Sequence, residues 1–277
     1  MKGNISIMTN ENSIQNVTIN LCDFALFLSV MKNPKAYRNT LSIILDEPDI
    51  RLKEVKVEQV VLNKSGKRAI RLDAWAVSED DRQFNMEMEN HSEKDSIPKR
   101  ARFYQGLIDT PILKSGKNTK YRELPSTVII FITQEDIFKK DRAMYTFVEK
   151  CKEVEGLELE DGTTKIFLNM SSKNGSQVLV SLLQYMKETD LNNPEILVKD
   201  ERIIELNEIV TEVKASEEWE GVEMNILEIG IQEGERRGQE KTNKIIKNML
   251  QRGMSDEEIM EITECDFELI QKVRDES

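Results

Sequence analysis

The stretch 68–90, RAIRLDAWAVSEDDRQFNMEMEN, limits the possible folds more than any other part of the chain. Two runs in it alternate between apolar and polar residues with a period of two, as half-buried strands do. In the first run, Ile70, Leu72, Ala74 and Ala76 fall on one face, and Arg71, Asp73, Trp75 and Val77 on the other. In the second, Phe84, Met86 and Met88 oppose Asn85, Glu87 and Glu89. The polar cluster between the runs supplies turn chemistry. A hairpin centred on Asp80 puts Asp73 opposite Glu87, with Glu89 diagonally beyond on the same side.

Three carboxylates on one face of adjacent strands repel one another. Either water or a cation relieves that repulsion. Trp75 and Val77 share the face, so it is not uniformly wet, and a hard divalent ion held by two carboxylates is a common arrangement for phosphodiester hydrolysis. Spacing alone leaves solvent and metal both open.

The rest of the chain narrows the setting. With 277 residues and a net charge of −12, it exceeds the usual single-domain size and is poorly suited to binding nucleic acid over its whole surface. A local basic strip remains compatible with that balance. Three scattered cysteines and a single histidine, His91, form neither a zinc-ligand set nor a Cys/His catalytic pair. The longest apolar run, 128–132, is too short to span a bilayer, and the opening MKGNISIMTNEN lacks a signal-peptide core. The expectation is a reduced, cytoplasmic protein with no membrane partner.

Helices are expected over 20–31 and 36–45, separated by Asn33-Pro34, then a strand over 55–62 and the hairpin. A helix over 98–112 follows, with Lys99, Arg100 and Arg102 in its first turns and Phe103, Leu107 and Ile108 on its apolar face. Basic turns are usually solvated, but this one comes directly after three acids, and Arg and Lys are natural partners of phosphate. The run 126–133 reads as a strand buried on both faces. Residues 137–148 read as a connecting loop and helix, 165–168 as a strand and 176–186 as an amphipathic helix. These define a domain over 1–198, a helical connector over 199–242 and a small helical module over 243–277. Ser255 and Glu258 make a capping box in that module. Its many acids suit packing or self-association better than a phosphate backbone.

The order helix, helix, strand, strand with Asp, strand with Glu-x-Glu, basic helix, buried strand resembles the PD-(D/E)XK nuclease superfamily. CDFALFLSVMKNPKAY, RLDAWA, FNMEMEN, PKRARFYQGLID and STVIIFITQEDIF are similar to the branch of PD-(D/E)XK nuclease family transposases and recombination-promoting nucleases. The resemblance implies an α/β restriction-endonuclease-like core, a mixed sheet flanked by helices, with an all-helical C-terminal extension. It further implies that Asp73, Glu87 and the Met88 carbonyl hold Mg2+ or Mn2+, and that DNA is the partner. Lys99, Arg100, Arg102, Tyr104 and Gln105 match the basic helix beside the site and would bind substrate.

The catalytic set implied is Asp73, Glu87 and Glu89. Position 89 usually carries Lys, and in this branch commonly Gln; Glu89 when ionised can only accept hydrogen bonds. It would bind a second ion or act as base, remain protonated beside Glu87, or mark a weak site. The implied function is therefore a metal-dependent DNA endonuclease of the recombination type. The alternative is a weak or inactive nuclease fold acting as a binding regulator. A homo-oligomer through the helical tail is the remaining expectation, and a purely structural role for the acids ranks last.

Overall fold

The computed structural model describes residues 18–61, 69–90, 95–113, 120–263 and 265–275, with the backbone alone over 227–237. The expected lead-in 1–17, the turn 63–66 and parts of the two polar loops (91–94 and 114–119) lie outside the described residues. The chain divides into two compact units, Met1–Lys214 and Ala215–Ser277.

The first unit opens with α1 (Phe24–Met31) and α2 (Pro34–Leu45). Asn33 separates them by accepting hydrogen bonds from the Lys35 and Ala36 amides, with Pro34 preorganised in the first helical turn. Asp46, in the left-handed region at φ 56°, ends α2. The strands β1 (Leu52–Val61), β2 (Ile70–Ser78) and β3 (Gln83–Glu89) follow, then α3 (Ile97–Asp109) and β4 (Thr127–Thr133). The unit closes with β5 (Met144–Phe147), β6 (Thr163–Asn169), α4 (Gln177–Lys187) and α5 (Glu201–Lys214).

The six strands form one sheet in the order β1-β2-β3-β4-β6-β5. Pairing is antiparallel along β1-β2-β3, parallel along β3-β4-β6 and antiparallel again at β5. The mixed sheet flanked by helices is thus the expected architecture. Every residue of β4 is buried, and each of its five apolar side chains stabilises the fold by about 1.5–3 kcal/mol relative to exposure.

Two expectations give way. Residues 144–147 form the edge strand β5, not a helix, because Met144–Phe147 completes the hydrogen bonding of β6. The first unit also runs past residue 198 to Lys214, because Ile203, Leu206, Ile209 and Val210 of α5 are buried. Asn39 of α2 donates to Glu205 Oε2 at 2.7 Å and to the Arg202 carbonyl at 3.3 Å, fastening α5 to α2.

In the second unit, α6 (Glu217–Gln251) is one continuous 35-residue helix, so the expected connector and the first tail helix are a single element. After Gly253, at φ +77°, come α7 (Asp256–Thr263) and α8 (Phe267–Asp275). The capping box forms: the Ser255 amide donates to Glu258 Oε2 at 2.8 Å and the Glu258 amide to Ser255 Oγ at 3.3 Å. Ile246, Ile259, Ile270 and Val273 make the small core that joins the three helices. Among the described residues, no helix is long and apolar enough to cross a membrane.

Candidate active site

The β2–β3 turn places the site. The Ser78 amide donates to the Arg82 carbonyl at 3.0 Å, and Asp81 takes a left-handed φ of 69°. Pairing then runs from Val77 opposite Gln83 to Ala74 opposite Met86, the register expected of a turn centred on Asp80. One residue further on, side chains take over from the ladder. The Asp73 amide donates to Glu87 Oε1 at 3.0 Å, and the Met88 amide donates to Asp73 Oδ2 at 3.1 Å. The two acids are therefore crossed, each bonding main chain of the opposite strand.

The neighbouring strand is irregular at the same level. Glu58 of β1, bracketed by the pairs Val57–Ala74 and Gln59–Leu72, has φ 51°. Ile70 and Leu72 pack in one cluster with Trp75, Ile129 and Phe131. The expected separation of Leu72 from Trp75 on opposite faces fails here, since strict alternation requires an uninterrupted ladder.

Asp73 and Glu87 are 7% and 1% exposed, too dry for a solvated sheet face. Burial pushes the Glu87 carboxyl from 4.5 up to about 8, and the Asp73 charge pushes it the same way. Burial likewise raises Asp73 from 3.8 to about 6, opposed by the Met88 amide and by Arg100. Asn85, wholly buried, donates to Glu87 Oε1 at 2.9 Å and fixes its orientation. Tyr37 of α2 fastens the hairpin from behind, its hydroxyl donating to the carbonyls of Ala74 at 3.3 Å and Phe84 at 3.2 Å. Sequence reasoning assigned no role to either residue. An amide on a strand interior beside two acids, and a tyrosine one turn into an apolar helix, were the available signals.

Helix α3 presents its basic residues unequally. Ile97, Ala101, Gln105, Leu107 and Ile108 are buried and Tyr104 half-buried, so Leu107 and Ile108 lie on the expected apolar face while Phe103 is exposed. Arg100 reaches the carboxylates, whereas Lys99 and Arg102 face outward and are exposed. Arg100 bonds Glu89 Oε2 through Nη1 and Glu87 Oε2 through Nη2, the latter at 3.3 Å. Its guanidinium lies 4.9 Å from the Phe131 ring centroid and 5.6 Å from that of Tyr104. Its buried Nε has no hydrogen-bond partner among the described residues. Gln105 turns away from the acids and bonds Asp109 at 3.1 and 3.2 Å.

The structure thus brings together Asp73, Glu87, Met88, Glu89, Arg100 and Tyr104. Among the described residues, no group of three or more His, Cys, Asp or Glu side chains gathers in a way that could hold a metal ion. Two carboxylates on the splayed ends of β2 and β3, in a mixed sheet with a basic helix across them, define a PD-(D/E)XK-type nuclease fold. A sequence model of the family described as "PD-(D/E)XK nuclease family transposase" matches residues 22–226. The chain belongs to that family. No curated protein matches it, and no solved structure does.

Proposed function

We propose that the chain is a divalent-metal-dependent DNA endonuclease acting at Asp73, Glu87 and the Met88 carbonyl. The observation that carries this reading is the crossed, buried pair Asp73 and Glu87 with the Arg100 guanidinium against it. The donor chemistry fits a small hard cation: Mg2+ takes oxygen ligands, and one or two carboxylates suffice when water and substrate phosphate complete the shell. Such an ion, when bound, polarises the scissile phosphate and lowers the pKa of water.

The chain's own residues then have distinct tasks. Asp73 and Glu87 hold the cation and lose their protons to do so. Asn85 and the Asp73 amide keep Glu87 Oε1 oriented. Arg100, stacked on Phe131 and Tyr104, offers the positive charge that position 89 does not. Glu89 holds that guanidinium in place. Lys99 and Arg102, both exposed, contact the DNA backbone further out. Relaxation of supercoiled plasmid in Mg2+ or Mn2+, lost in Asp73→Ala and in Glu87→Ala, is the expected result. Cleavage that persists in both variants would refute the site.

One observation favours a second reading, that of a binding protein with a weak site. Arg100 bridges Glu87 and Glu89 and so engages a Glu87 oxygen that a cation would use. Glu89→Gln separates the two readings. Cleavage falls if Glu89 positions Arg100 for the reaction, and rises if the Glu89–Arg100 pair holds the site shut.

A further inference from the structure

The loop between β4 and β5 carries three cations, Lys139, Lys140 and Arg142, all exposed. Its construction is unusual for a surface connection. The Asp136 carboxylate accepts four backbone amides: Phe138 at 3.0 Å, Lys139 at 2.9 Å, Lys140 at 2.9 Å and Asp141 at 2.7 Å. It also accepts the Tyr145 hydroxyl at 2.8 and 2.9 Å, and that oxygen in turn accepts the Lys140 and Arg142 amides. Lys139 and Asp141 are left-handed, with φ 55° and 51°, conformations that cost a non-glycine residue about 1–2 kcal/mol each. The loop is thus pinned in a strained shape.

That shape engages two of its three acids in hydrogen bonds. Asp136 is spent on the backbone; Asp141 accepts from Ser172 Oγ at 2.8 Å but is itself exposed, as is Glu135 at the loop's start. Among the described residues, no carboxylate forms an ion pair with Lys139 or Lys140. Arg142 donates to Asn174 at 3.1 Å.

The loop is also placed on the face of the carboxylates. It leaves β4 at Thr133, which pairs with Glu89, and Gln134 donates to Asn90 at 3.2 Å. Phe138 packs against Phe167, which stacks on Phe131, the ring beneath Arg100. From β3 to the edge strand β5 is three strand spacings, about 14 Å. A duplex held at Asp73 and Glu87 carries several phosphates over that span, at one charge per roughly 1.7 Å of axis.

We infer that the 136–142 loop is a second phosphate-binding element, in which Lys139 and Lys140 grip the DNA backbone beside the site. This rests on the nuclease reading. Binding of a short DNA duplex to the Glu87→Gln protein, which prevents cleavage, tests it across a range of salt. Adding Lys139→Asn and Lys140→Gln, with Asn chosen for its tolerance of left-handed φ, should weaken binding at least tenfold at low salt. The slope of log K against log[salt] should fall by about 1.8, roughly 0.9 for each lost contact. Arginine at both positions should restore both quantities. Unchanged affinity and slope beside a wild-type loop that binds DNA would overturn the loop proposal alone. If the wild-type loop protein binds no duplex and the unaltered chain cuts none, the loop proposal and the nuclease reading fall together.

Discussion

Glu87 makes folding stability depend on pH in a direction opposite to that of most carboxylates. Its carboxyl is raised from 4.5 to about 8, by burial first and then by Asp73. The folded chain therefore holds this proton more tightly than the unfolded chain does. The resulting stabilisation is complete below the unfolded value and is lost as pH climbs through the folded one. Between about pH 5 and 8 the loss amounts to about 3 kcal/mol, and the steepest slope approaches about 1.4 kcal/mol per pH unit. Glu87→Gln keeps an acceptor for the Asp73 amide and for Asn85 but cannot titrate. Asp73, raised to about 6, titrates in both proteins. The difference between the two stability curves thus isolates Glu87. Urea unfolding in a chelator, followed by Trp75 fluorescence in a Trp219→Phe background, measures it. The wild type should lose about 3 kcal/mol relative to the variant across that pH range. Parallel curves would refute the burial argument and mean that Glu87 is ionised in the folded protein.

Three further outcomes follow from the geometry. Tyr37→Phe removes the hydroxyl that bonds two buried hairpin carbonyls and should cost about 1–2 kcal/mol in urea unfolding of the first unit. At Glu58, φ 51° inverts the usual strand preference: Glu58→Gly should leave stability within about 0.5 kcal/mol, while Glu58→Val should lower it by more than about 1 kcal/mol, both read by urea unfolding. Ser255→Ala deletes the cap of α7 and should destabilise the second unit by about 1 kcal/mol, seen as roughly fivefold faster amide hydrogen exchange in α7 and α8.

Much of this site could be read in the sequence because a hairpin is a local structure. The turn at Asp80 fixes the register within a few residues, so the proximity of Asp73 and Glu87 follows from counting. What failed depends on partners distant in the chain. Met144–Phe147 is four residues long and largely exposed, and it becomes a strand because β6 offers an edge. The phase of α3 is set by Phe131 and Ile129 beneath it, which turned Phe103 outward and Arg100 inward. Gln105 has the right chemistry for substrate but lies on the Asp109 side of the helix. The crossing of the acids is likewise invisible to a rule that assumes every residue keeps its ladder bonds.

That crossing gives Asp73 and Glu87 a second duty. Each accepts a buried main-chain amide at the point where β2 and β3 separate, so removing either carboxyl strands a donor, at a cost of about 1–3 kcal/mol. The two acids are thus mortar whatever else they do, and on the proposed function a descendant that had abandoned the reaction would still be pressed to keep them. Arg100 and Glu89 close no gap in the sheet. When related chains are compared, drift at those two positions is the sign by which a retired site would be told from a working one.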